Sequence, residues 1–288
     1  MLTIYWKQLR AFNAFELIGW RIIWSAVVMA ITLTALHRWP VIGTVIRDRR
    51  LLARVTLTGV VLTANWTVYV WAVVHGKVIE TALGYFIAPL GTMAVGVFVL
   101  HERLRAAQRT AIAFAVAAIA VITASYGRAP WMSLVIAATW TVYAYLKKQV
   151  PLTAVDSMAA ETFVMFVPAV VTAIAFAGRA TSIPTAASAG ELLLVAGTGL
   201  ATVVPLTLFA FASQRVPLSV LGPMQYVVPT INFVLAWLAF HEELPTERVV
   251  GFLLVWIGLV IVTVDTAHRA NAARKKSTAN SDILAQTR

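Results

Sequence analysis

Nine stretches of roughly 20 apolar residues follow one another along this chain with only short connections between them, and that succession leaves few folds open. A helix of about 20 residues crosses the ~30 Å hydrocarbon layer of a bilayer. The stretches run roughly over residues 15–36, 52–74, 78–100, 107–125, 131–146, 157–177, 190–212, 218–240 and 247–266. Composition agrees: 60% of the 288 residues are hydrophobic, 12% are charged, and the mean hydropathy is +0.82, more than a soluble domain of this length needs for its core. The expected fold is an all-α polytopic membrane protein with no soluble domain between spans.

The net charge of +11 does not point to nucleic acid, because the Lys and Arg residues sit in short loops between apolar spans. Counted on alternate sides, one face carries 16 of them and the other 6, with Arg21 inside a span. Basic residues near helix ends resist translocation, so the richer face is cytoplasmic. The expectation is a multi-pass protein of the plasma (inner) membrane with a cytoplasmic C-terminus and an outer N-terminus. Trp39 and Trp131 lie near span ends, where amphipathic rings favour the interface. There are no cysteines, and the five scattered histidines lack metal-ligand spacing, so neither thiol chemistry nor a metal or other cofactor is expected.

The chain repeats itself at an offset of 140 residues. Pro89 falls on Pro229, His101 on His241, Glu102 on Glu242, Leu104 on Leu244 and Thr123 on Thr263. The first copy begins at the third span and the second at the eighth, five spans later, so the two copies cross the membrane in opposite directions. The loops agree, since Arg103 and Arg105 follow the first Glu while the second copy lacks those arginines. The expected architecture is two inverted repeats of five helices, the first within residues 1–127 and the second within 128–266, followed by a disordered basic tail over 267–288. The first repeat has only four spans. A first helix therefore appears as missing before residue 15, with Ile4-Tyr5-Trp6-Lys7 as its outer end.

Further motifs stand along the chain: Glu16 and Arg21-Ile22-Ile23-Trp24-Ser25, Asn65-Trp66, Leu83-Gly84-Tyr85-Phe86-Ile87-Ala88-Pro89-Leu90 and Glu102-Arg103-Leu104. Tyr143 with Lys147-Lys148-Gln149-Val150-Pro151, Glu161-Thr162 with Pro168, and Leu218-Ser219-Val220-Leu221-Gly222 leading to Gln225-Tyr226 and Pro229 complete the set. Together they resemble the EamA family of the drug/metabolite transporter superfamily, from about Tyr5 to Asp265. The resemblance implies ten helices in two inverted halves around a central cavity, exporting small metabolites or drugs; some members carry a chloramphenicol-related name. This chain departs from the pattern at Trp20, where a histidine is usual, at Ala88 in place of Asn, and at His101 in place of glycine.

Pro89 removes an N–H and frees the carbonyl near Tyr85, and Pro229 does the same near Gln225; in lipid such carbonyls are tolerated only against protein or a water-filled cavity. Each proline is thus a helix-break hinge at a cavity or a kink in a packing helix. Tyr85, Pro89 and Thr92 share one helical face, as do Gln225, Pro229 and Asn232, with Tyr226 beside them. Asn65, Trp66 and Tyr69 on the second span and Thr139 and Tyr143 on the fifth extend the inward stripes, Asn65 alternatively bonding a neighbouring helix. Rings at these positions suit stacking on aromatic or cationic solutes.

Arg21 and Glu161 are the ionisable exceptions within spans, each costing roughly 2.5 to 3.5 kcal/mol near the bilayer centre. Arg21 holds an anionic group, pairs with a carboxylate on another helix, or anchors at the interface. Glu161 is either a proton-coupling carboxylate or an acid satisfied by Lys147 or Lys148. Glu102 and Glu242 fit helix N-terminal capping. No phosphate-binding loop and no catalytic constellation occurs, so the chain reads as a secondary transporter of a small solute and not as an enzyme. The competing reading is a non-transporting membrane sensor or lipid-handling protein derived from a transporter.

Overall fold

The computed structural model describes residues 5, 6, 8–75, 78–124, 131–228, 230, 231, 246, 247, 249–251 and 253–265. Pro229, Asn232, the His241-Glu242 corner and the tail over 267–288 lie outside the described residues. The chain forms α1 (Ala14–Ala35), α2 (Pro40–Arg47), α3 (Arg49–Val74), α4 (Val78–Phe98), α5 (Ala106–Ala124), α6 (Trp131–Gln149), α7 (Ala154–Ala177), α8 (Ile183–Ala186), α9 (Ala189–Arg215) and α10 (Leu218–Met224), with a further helical run, α11, over Val249–Asp265. No strand occurs among the described residues. Helices α1, α3, α7 and α9 are each long and apolar enough to span a bilayer, with α4, α5 and α11 containing shorter apolar helices.

The long helices start where side-chain caps stop the preceding loop. Asn13 accepts from the Phe15 N–H ahead of α1, and Thr153, 140 residues on, accepts from Asp156 N–H ahead of α7. Asp48 caps α3 and Ser188 caps α9, again 140 residues apart, the latter in a reciprocal box with Glu191. Val78 and Leu218 open α4 and α10 at the same offset. The repeat seen in the motifs is therefore also a repeat of helix starts.

Two features depart from the expected spans. The short helices α2 and α8 occupy connections read as plain loops; at 8 and 4 residues they are too short to show periodicity, and each carries a proline in its first turn. The expected span over 218–240 is also not one uninterrupted helix. It stops at Met224, and Gln225 N–H and Tyr226 N–H turn back three residues to Gly222 and Pro223. Pro223 removes a helical donor within an apolar run, where hydropathy registers no change. Pro89, in contrast, lies inside α4, which continues through it.

Helix α1 packs on α7 and α9, α4 on α6 and α10, and α3 on α6 and α7. Leu17, Ile22, Met29 and Leu33 of α1 meet Leu62 and Val70 of α3, Met158 of α7 and Val203 and Leu206 of α9 in one buried cluster. Val167, Val171 and Ile174 on α7 and Leu193, Leu200, Val204 and Leu208 on α9 stay exposed at helical spacing. Such a stripe is a liability in water and the solvated face in lipid.

Backbones approach most closely at Gly199, where an added Cβ would lie 2.5 Å from the Trp24 carbonyl oxygen. Neither atom group yields without moving a helix. Gly199→Ala is expected to part α1 from α9 and lower stability by about 1–3 kcal/mol, read as a lower melting temperature in detergent.

His101 ends the α4 turn with φ 53°, the left-handed region that glycine adopts without cost. This conformation redirects the chain so that Glu102 Oε1 and Oε2 accept from Leu218 N–H (3.0 Å) and Ser219 N–H (2.8 Å). Glu102 does cap a helix, but the helix is α10, more than a hundred residues away, and not the next one in sequence. Lys148 Nζ donates to the Val216 carbonyl at the end of α9 and lies 3.8 Å from Glu102, so each charge faces the helix end that favours it. His101→Gly is expected to stabilise the protein by about 1 kcal/mol in the same melting assay, since the left-handed backbone persists and its steric cost disappears.

Candidate functional site

Arg21 is 5% exposed on α1, and Ile22 and Trp24 beside it belong to helix packing. Its Nε donates to Thr202 Oγ1 on α9 at 2.6 Å, and its guanidinium stacks on Trp66 of α3, 3.9 Å from the ring centroid, with Trp6 at 5.3 Å. No described carboxylate lies within ion-pair distance of it. Glu16, one turn earlier, instead accepts from Ile183 N–H at 2.7 Å and so caps α8. Tyr69 on α3 and Tyr85 on α4 meet edge to face at 5.6 Å, and both interact electrostatically with Arg21. A buried guanidinium without a carboxylate is costly in hydrocarbon, and ring faces together with one hydroxyl offset only part of that cost.

A second aromatic group joins α6, α9 and α10. Trp140 Nε1 donates to Gln225 Oε1 at 2.7 Å, and Trp140, Tyr143 and Phe209 lie ring against ring. The Tyr143 hydroxyl and Gln225 Nε2 are buried without a partner among the described residues. Gln225 stands in the turn that ends α10, so the helix break presents its amide to α6.

The other residues singled out from the sequence serve the bundle itself. Asn65 Nδ2 bonds the Ile136 carbonyl and Thr139 Oγ1, each at 2.9 Å, tying α3 to α6. Thr92 returns its hydroxyl to the Ala88 carbonyl of its own helix. Tyr226 donates to the Phe86 carbonyl at 3.0 Å, one residue beyond the carbonyl that Pro89 was expected to release. Phe86 and Tyr226 are themselves 140 residues apart, so equivalent residues of the two copies touch, and α4 and α10 meet at their matched positions.

Glu161 on α7 is 2% exposed and Lys147 on α6 is fully buried, with Lys147 Nζ 2.8 Å from Glu161 Oε1. Ser157 adds a hydroxyl to the same oxygen at 3.1 Å. Trp6, Trp140, Thr202 and Phe209 are site residues that the motif reading did not reach. Thr198 and Thr202, four apart in an apolar helix, were the available signal for α9.

The model of the EamA-like transporter family matches residues 1–124 and again 128–264. The chain is 41% identical to "Protein RarD" of Streptomyces exfoliatus over 96% of its own length and 88% of the relative's. It is 32% identical to "Uncharacterized transporter YojE" of Bacillus subtilis, covering 95% and 92% of the two chains. A protein of Pseudomonas aeruginosa named "Chloramphenicol-sensitive protein RarD" is 26% identical over 92% of this chain and 89% of that one. A solved crystal structure superposes with a TM-score of 0.66 over 91% of this chain and 94% of its own at 18% identity, a likeness of fold alone. The chain is a multi-pass membrane protein and belongs to the EamA-like transporter family.

Proposed function

We propose that the protein is a secondary transporter that exports a small amphipathic solute across the plasma (inner) membrane, its C-terminus cytoplasmic, by alternating access between two inverted repeats over residues 1–127 and 128–266. The observation that carries this reading is Arg21: a buried guanidinium with no described carboxylate partner, bonded to Thr202 and stacked on Trp66 where α1 packs on α3 and α9, with Tyr69 and Tyr85 in electrostatic reach. An anionic group on the solute would complete the charge, and an apolar or aromatic body would lie against the rings. Gln225, whose Nε2 has no partner among the described residues, and Tyr143 would form the opposite wall from the second repeat. The contact of Phe86 with Tyr226 supports a pseudo-two-fold axis between these walls, the place where inverted-repeat transporters bind. The break at Gln225 and the proline in α4 are the positions at which the walls would hinge.

The test is accumulation of labelled amino acids, nucleosides and antibiotics, including chloramphenicol, in cells with and without the gene. At least one solute should accumulate less when the protein is present, and Arg21→Leu should restore its level. Equal accumulation of every solute in both strains would overturn the reading in favour of a non-transporting sensor or lipid-handling protein.

A further inference from the structure

Arg21 and Glu161 are separated by 140 residues, so the two buried charges of opposite sign occupy the same position in the two copies of the repeat. Their surroundings differ. Arg21 has rings and a hydroxyl, whereas Glu161 has Lys147. Glu161 is also used unequally: Oε1 receives Lys147 and Ser157, while Oε2 is buried without a partner among the described residues. Beside it lies a cavity of about 20 Å³, the room of one water, bounded by Glu161 and Thr162 of α7, Ser25 of α1, and Gly59, Thr63 and Trp66 of α3. Glu161 and the hydroxyl residues Ser25, Thr63 and Thr162 are the polar members of an otherwise apolar wall, with Ser25 and Thr162 donating to the Arg21 and Met158 carbonyls of their own helices.

We propose that Glu161 is the protonation site that couples solute movement at Arg21 to a proton gradient, with Trp66 as the wall shared by the two. This rests on the transporter reading above. A proton delivered through the cavity adds to the carboxylate and leaves a neutral carboxyl facing the Lys147 ammonium. Lys147 is fully buried, so it then stands as an unpaired cation in a low-dielectric interior and must part from α7 towards water. Movement of α6 relative to α7 follows from that separation. α6 also carries Trp140 and Tyr143, the rings that hold Gln225. On the other side, Trp66 stacks one face on Arg21 and also lines the cavity, so a solute anion that draws the guanidinium away frees the ring to shift towards Glu161. The charged and titratable groups facing Glu161 are Lys147 and Tyr143 from α6; α1 and α3 bring only Ser25, Gly59, Thr63 and Trp66 to the cavity wall besides apolar side chains, with Arg21 behind the ring. α2 and α9 contribute nothing to that wall, and Asp156, the nearest acid on α7 itself, is held by Arg38 at 2.6 Å.

Two measurements on the full chain in lipid vesicles test the proposal. Infrared difference spectra between acid and alkaline buffer, with no solute added, should show a protonated-carboxyl band that is absent from Glu161→Gln. Ser157→Ala should keep the band and move it to higher wavenumber, because the carboxyl loses a donor. A wild-type band that survives in Glu161→Gln, or no wild-type band while helix content stays constant, overturns the proposal. In the second measurement the same vesicles receive the labelled solutes named above. Exchange at equal pH on both sides reads transport alone, and an imposed pH gradient should raise wild-type accumulation several-fold. Exchange that ignores the gradient overturns the coupling and leaves the transporter reading intact. No exchange with any solute overturns the transporter reading and the coupling with it.

Discussion

Replacing Lys147 by Met is expected to destabilise the folded protein by about 3–5 kcal/mol, and replacing Lys147 and Glu161 together by Met to recover most of that loss. The asymmetry follows from burial. Lys147 Nζ and Glu161 Oε1 are 2.8 Å apart with side chains 0% and 2% exposed, so deleting one charge leaves the other buried without its counter-ion. Ser157 alone then faces a full carboxylate. Removing both charges eliminates the desolvation cost together with the attraction, and two Met side chains are flexible enough to fill the remaining space. Thermal melting in detergent by circular dichroism reads the three proteins side by side. A single variant as stable as wild type would mean that the pair is open to solvent; a double variant worse than the single would mean that the ion pair itself holds α6 to α7. The double variant also serves the coupling proposal, because it should fold and show no carboxyl band assignable to Glu161.

Arg21→Leu is expected to weaken solute affinity about 100-fold, and Arg21→Lys about tenfold, measured by equilibrium binding of whichever labelled solute the accumulation screen selects. Leu removes the charge. Lys keeps it but lacks the planar fork, so it loses the stacking on Trp66 and the fixed Nε bond to Thr202. A graded loss marks a guanidinium that touches the anion. If Lys matched Arg, only the net charge would matter; if both variants bound normally, Arg21 would be an anchor between α1 and α9. Melting curves separate these outcomes from unfolding, since Thr202 loses a single partner in either variant.

Arg21 and Glu161 were both visible in the sequence as exceptions; for Glu161 the candidate partners Lys147 and Lys148 were legible too, whereas for Arg21 no partner was. Both stand out in apolar spans by charge alone; the structure puts Thr202 and Trp66 beside Arg21 and selects Lys147, not Lys148, as the partner of Glu161. Glu102 shows the same division. Its position after α4 made a cap the natural reading, and a cap it is, but local rules pair an acid with the next helix, whereas the left-handed turn at His101 aims it at Leu218 and Ser219. Asn65 was one of two things, a solute contact or a tie between helices, and its amide bonds Ile136 and Thr139 across α3 and α6. The break at Gln225 escaped hydropathy because Gly222 and Pro223 lie in an uninterrupted apolar run.

The order of the long helices and where α1, α3, α7 and α9 start follow from the sequence, because chain length against bilayer thickness and the capping residues Asn13, Asp48, Thr153 and Ser188 are local properties. So does the 140-residue period, which the helix starts repeat. What the sequence leaves open is the rotation of each helix about its own axis. Lipid and protein interior are both apolar, so an apolar helix carries little signal for which face turns inward. Only packing fixes that rotation, through close approaches such as Gly199 on Trp24, and with it the choice of which polar side chains bond a neighbouring helix and which are left for a solute or a proton.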